Sequence, residues 1–100
     1  MSQTDPEILA RMIEPDGRTV EITNLGWRHV CEHGEMTTHF DAIKETITHP
    51  IHTEPDVRPG RVRYYSQGLG PTRWLRVVIS YESNPDVGIL VTAFGHSNDP

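Results

Sequence analysis

Hydrophobic positions along the chain change period several times, and each change marks an element. Val20 and Ile22 alternate with Thr19, Glu21 and Thr23, as in a half-buried strand. Pro15-Asp16-Gly17 separates that run from the apolar stretch 8–13, so a hairpin is expected there. The first arm is ambiguous, because residues 7–12 are also good helix formers. Trp27, Val30 and Cys31 then recur at helical spacing. Thr23 or Asn24 can cap that helix and Gly34 can stop it, which predicts a helix over 25–33. Phe40, Ile43 and Ile47 predict a second helix starting near Thr38. Thr38 with Asp41 resembles a capping box with Asp in place of Glu, and Pro50 closes the segment. Residues 51–60 hold Pro55 and Pro59-Gly60 and read as a loop or an irregular edge strand. Three β runs follow, over 61–66, 73–81 and 88–94, punctuated by Gly68-Leu69-Gly70-Pro71 and Ser83-Asn84-Pro85-Asp86.

The expected fold class is α+β: two helices packed on one face of a twisted antiparallel sheet, in the order β-β-α-α-β-β-β. Strand parity divides the side chains between two faces. Val62 and Tyr64 oppose Arg61, Arg63 and Tyr65. Trp74, Arg76 and Val78 oppose Leu75, Val77 and Ile79. Ile89, Val91 and Ala93 oppose Leu90, Thr92 and Phe94, and His96 has the parity of Thr92. The face away from the helices is expected to be half exposed and to carry arginines and hydroxyls.

One hundred residues make a single domain, and a chain of this size buries about 65% of its unfolded surface, enough for one modest core. No stretch approaches the ~20 apolar residues of a membrane span. Residues 1–7 are polar and expected to fray, and they show neither the basic nor the apolar region of a signal peptide. Cys31 is the single cysteine, so no internal disulfide forms and a reducing, cytoplasmic setting is expected. Residues 1–50 carry four Lys or Arg against nine Asp or Glu, and residues 51–100 carry five against five. That acidic balance argues against bulk nucleic-acid binding through phosphate neutralisation, yet leaves room for a local basic groove. Such a groove is foreshadowed by Arg58, Arg61, Arg63, Arg73 and Arg76, which fall in a stretch without Asp or Glu.

Candidate chemistry begins with His29 and His33. On a helix, side chains four apart share a face, so the two imidazoles would project together, suited to proton transfer or metal ligation. The segment His29-Val30-Cys31-Glu32-His33 also fits the His-x-x-Glu-His pattern of inverted zinc peptidases, although that chemistry needs a third ligand and a cleft. Two surface histidines on a short helix is the plain alternative. Arg61-Val62-Arg63-Tyr64-Tyr65-Ser66 places Arg and Tyr on alternate positions of one face. Arginine grips phosphate with a planar pair of donors, and tyrosine stacks or donates a hydroxyl. A solvated strand with paired charges explains the same residues. Thr92 can bind a phosphate oxygen or simply favour a strand, and His96 joins its face if the strand continues.

Taken in order, a Trp-x-His helix, a second His, an amphipathic helix ending before proline, the Arg-x-Tyr-Tyr strand, a Val-Val strand and Val91-Thr92-Ala93-Phe94 resemble the phage- and toxin-associated branch of the barnase–EndoU–colicin–RelE-like (BECR) RNase superfamily. The resemblance covers residues 27–94. It implies a metal-independent, toxin-like endoribonuclease without a cofactor, in which the 2′-hydroxyl attacks the adjacent phosphate to leave a 2′,3′-cyclic phosphate. RNA would be the substrate and a protein inhibitor (an antitoxin) the partner. By matching positions, His29 or His33 would be base or acid, Arg63 would stabilise phosphate, and Tyr65 and Thr92 would orient it. Two other readings stay open: a non-catalytic RNA- or protein-binding module of the same fold, and a metal-binding protein using His29 and His33. For the nuclease reading, the imidazoles must approach the Arg63 guanidinium across a gap that one phosphate fills, up to roughly 8 Å.

Overall fold

The computed structural model describes residues 7–32 and 34–100. Strands β1 (Ile8–Ile13) and β2 (Thr19–Thr23) form the expected hairpin, antiparallel with Met12 opposite Val20. The helical alternative for the first arm is thereby decided for strand. Its turn is organised by Glu14, which is 3% exposed. The carboxylate accepts the backbone N–H of Asp16 (2.9 Å) and Arg18 (3.1 Å) and the Arg18 Nε–H (2.9 Å), while Gly17 takes a φ of 90°. Burial pushes the Glu14 carboxyl up, but the donors from Arg18 and Asp16 outweigh it and hold the group below its ordinary range.

Helix α1 runs Asn24–Cys31, shorter at its C-terminal end than the expected 25–33. Thr23 is its N-cap, accepting the Gly26 N–H at 3.0 Å. The helix lies so close to the sheet that a Cβ on Gly26 would stand 2.6 Å from the Leu90 carbonyl oxygen. A 3₁₀ turn, Gly34–Met36, leads to helix α2 (Phe40–Thr48). His39 occupies the N-cap of α2 with no side-chain cap bond, so the Thr38–Asp41 capping box does not form. The helix begins one position too late for Thr38 to reach its free N–H groups. Residues 51–60 contain a short edge strand, β3 (His52–Pro55), which Pro55 closes. Strands β4 (Arg61–Gln67), β5 (Trp74–Ser80) and β6 (Val87–His96) form the antiparallel meander.

The sheet order is β1-β2-β6-β5-β4-β3. The expected all-antiparallel sheet is corrected in one place: β2 pairs with β6 in parallel, Val20 opposite Gly88. The two helices sit between these strands in the chain, and such a crossover permits parallel pairing. The molecule is α+β, with two helices on one face of a six-stranded mixed sheet. That face and the helices enclose the core: Ile22, Val30, Ile43, Ile47, Tyr64, Leu75, Val77, Ile79, Leu90 and Ala93 are at most 2% exposed. Trp27 meets Phe40 edge-on at 4.9 Å over the same core. Inside it, Thr46 and Ser66 share a hydroxyl bond of 2.7 Å, which satisfies two polar groups away from water. Among the described residues, no helix is long and apolar enough to cross a membrane.

Candidate functional site

The sheet face turned away from the helices gathers ionisable and aromatic side chains. Register aligns its side chains into rungs. One rung runs His52–Tyr65–Arg76–Phe94 across β3, β4, β5 and β6. The next holds Glu54, Arg63, Val78 and Thr92, and on the other side Gln67, Trp74 and His96 follow. A register shift between Val78 and Ile79 places Leu90 and Ala93 both on the core side, so simple alternation along β6 fails after Leu90. Beyond the shift, Thr92, Phe94 and His96 share the outer face, as their parity predicts.

Tyr65 is the floor of this face. It is fully buried, beneath His52 (ring centroids 5.6 Å), His96 (6.2 Å) and Trp74 (6.4 Å). Its hydroxyl donates to Glu54 Oε2 at 2.9 Å, so it is already engaged and is not offered to a phosphate. Burial first, and donation to that carboxylate second, push the phenol up from its ordinary value. Glu54 is a hub. It accepts His52 Nε2–H (3.1 Å), the Tyr65 hydroxyl and Arg63 Nη1–H (3.0 Å). Donation from His52 and then from Tyr65 and Arg63 outweighs burial and holds the carboxyl at about 2. Arg63 also gives its Nε–H to Asp56 at 2.7 Å, the leading reason its guanidinium is raised above the ordinary value. Two carboxylates therefore compete with any phosphate for Arg63.

Arg76 is placed differently. No carboxylate pairs with it among the described residues. Its guanidinium carbon lies 5.4 Å from the Tyr65 ring centre and 5.3 Å from that of Phe94, and Nη2 donates to His96 Nε2 at 3.3 Å. Its Nε is buried with no hydrogen-bond partner. A buried donor without an acceptor costs roughly 1–3 kcal/mol, and more when the group is charged.

The residues singled out in the sequence separate into two groups. Arg63, Tyr65 and Thr92 share the outer face. His29 does not join them. Its helix covers the core face, with Val30 buried against the sheet, and the His29 imidazole is exposed with Glu32 at 3.4 Å. The sheet stands between His29 and Arg63, so the expected convergence on one hollow is not formed by that pair. Helical periodicity placed His29 on its helix correctly but carried no information on which sheet face the helix would cover. His33 lies outside the described residues. Among the described residues, no group of three or more His, Cys, Asp or Glu is arranged to hold a metal ion. Cys31 is a half-buried free thiol.

Sequence reasoning left His52, Glu54 and Arg76 out of the site. Arg76 was legible in part, since its strand parity allowed it to share the face of Arg63. His52 and Glu54 were hidden because two prolines made 51–60 look irregular, yet they are two apart and so face one way once extended. No family model matches the sequence, and the comparisons with curated proteins and with solved structures find no relative.

Proposed function

We propose that this protein is a metal-independent endoribonuclease whose reaction takes place on the outer sheet face, with Arg76 as the phosphate-binding cation and His52 and His96 as the proton-transfer pair. One observation carries the reading: a partly buried guanidinium, without a carboxylate partner among the described residues, lies beside one imidazole and over the ring that supports a second. Cleavage of RNA by its own 2′-hydroxyl needs three groups: one to take a proton, one to return a proton, and a cation beside the five-coordinate phosphorus. All three lie around the Tyr65 ring. Arg63 takes a supporting role, holding Glu54 and Asp56, and Thr92 lines the same face one rung away. The enzyme is of the toxin type, works on cytoplasmic RNA, and is restrained by a protein inhibitor.

The test is incubation of purified protein with end-labelled RNA in excess chelator. Cleavage that leaves 2′,3′-cyclic phosphate ends is expected, reduced about 10²–10⁴-fold by His96→Ala and by a similar factor by Arg76→Ala. Cleavage unaffected by Arg76→Ala in folded protein would remove the site assignment. RNA binding without any cleavage would leave a non-catalytic RNA-binding module. Stoichiometric zinc lost on His29→Ala would favour the metal-binding alternative.

A further inference from the structure

We infer that the RNA bound here is single-stranded, and that Trp74 is the surface on which one of its bases stacks, next to the phosphate on Arg76. From the nuclease reading above this takes only the placement of that phosphate. The aromatic rings of the chain are committed in different ways. Tyr64, Tyr65 and Tyr81 are buried. Trp27 and Phe40 meet each other edge-on over the core, on the helix side of the sheet. Phe94 reaches the outer face, but the Arg76 guanidinium lies against its ring. Trp74 reaches the same face and stays half exposed. Its single polar group is engaged, since Nε1–H donates to Asp99 Oδ1 at 3.0 Å. That bond and the edge-on contact with Tyr65 fix the orientation of the indole. What the ring has left to offer is apolar π surface.

The surroundings suit a nucleotide. Trp74 and Arg76 are two apart on β5 and share a face, about 6.5 Å from each other along the strand. That is the scale of one nucleotide, from a phosphate to the neighbouring base. Positive charge also survives here while it is cancelled elsewhere. Arg61 and Arg63 are bound by carboxylates, whereas Arg73 and Arg76 have no carboxylate partner among the described residues. Asp99 brings one negative charge to the indole. An indole N–H lies in the ring plane, so that carboxylate sits at the edge of the ring and not over its face. Gln67, opposite Trp74 on β4, is exposed and carries both a donor and an acceptor for the edge of a stacked base. A duplex cannot use such a site, because its bases are already stacked and paired. Only an unpaired base can lay its face on a ring beside the cation that holds its backbone.

A single-stranded hexanucleotide without 2′-hydroxyls tests this, because it has no nucleophile and binds without being cleaved. Binding accompanied by quenching of tryptophan emission is expected, and a duplex of the same sequence should bind about tenfold more weakly. Trp74→Leu should weaken single-strand binding about 5–100-fold, the usual effect of losing one stacked base. It should also abolish the quenching, because the remaining Trp27 lies on the other side of the sheet. Trp74→Phe keeps a ring for stacking and should recover most of the affinity. Melting curves check that both variants are folded. Unchanged affinity in folded Trp74→Leu, or a duplex bound as tightly as the single strand, would overturn the stacking site while the nuclease reading stands. So would ordinary RNA being cleaved by a protein that does not bind the hexanucleotide. Quenching that depends on Trp74, with no cleavage of ordinary RNA, would keep the stacking site and end the nuclease reading.

Discussion

At the scale of single residues, the fate of each charged group depends on which carboxylates the fold brings to it. The arginine-rich stretch contains no Asp or Glu, but Glu54, Asp56 and Glu82 fold onto it. Arg61 is bound by Glu82 at 2.9 Å and Arg63 by both of the others. The local excess of positive charge read from the sequence is therefore largely cancelled, and Arg76 keeps what remains near the imidazoles. Charge counting along a chain cannot see pairing across strands. Glu54 gives a pH prediction. Its folded carboxyl lies at about 2 against an ordinary 4.5, so the unfolded chain takes up the proton first on acidification. The stabilisation is complete above about pH 4.5 and disappears as pH falls toward 2. It is on the order of 1–2 kcal/mol after allowance for solvent screening at a partly exposed group. Thermal unfolding followed across that range should show a shallower acid decline for Glu54→Gln than for the unaltered protein. Glu14→Ala should cost more at neutral pH, roughly 2–4 kcal/mol, because it leaves two turn N–H groups without an acceptor and removes the carboxylate that Arg18 Nε donates to. Chemical denaturation measures it.

At the scale of elements, what the sequence made legible was local. The hairpin, both helices, the three-strand meander and the faces of β4 and β5 follow from period and punctuation. What stayed hidden needed distant partners: the parallel β2–β6 pair, the register shift beside Leu90, and the β3 strand carrying His52 and Glu54. Gly26 shows how an element can obey a distant neighbour rather than its own preferences. Alanine in place of a helical glycine ordinarily gains up to about 1 kcal/mol. Here the added Cβ would meet a backbone carbonyl of β6 at 2.6 Å, and neither backbone can step aside without moving α1 off the core. Gly26→Ala is therefore expected to destabilise by about 1–3 kcal/mol, the usual range for overpacking. A rise in the melting temperature would show that α1 can slide.

At the scale of the whole molecule, the sheet divides two tasks. Its helix-covered face buries the apolar side chains that hold the chain together, and its other face gathers the ionisable ones. Substitutions on the two faces should separate accordingly. Leu75→Ala removes a fully buried core side chain and is expected to cost about 2–5 kcal/mol. Its activity should be near normal at temperatures where it remains folded. Arg76→Ala, on the neighbouring residue but the opposite face, should leave unfolding little changed while lowering RNA cleavage about 10²–10⁴-fold and relieving any growth defect on expression. Measuring melting and cleavage for the two variants side by side checks both halves. If Leu75→Ala lost cleavage while fully folded, the two faces would not be independent.

The parallel pairing of β2 with β6 has a consequence in time as well as in space. β6 is the strand that joins the N-terminal hairpin to the rest of the meander, and it follows every other described strand. A nascent polypeptide that still holds β6 inside the ribosome cannot close its sheet, and it has not yet delivered His96 to Arg76. Completion of the fold and assembly of the charged surface thus coincide, and a product terminated before β6 would lack both together.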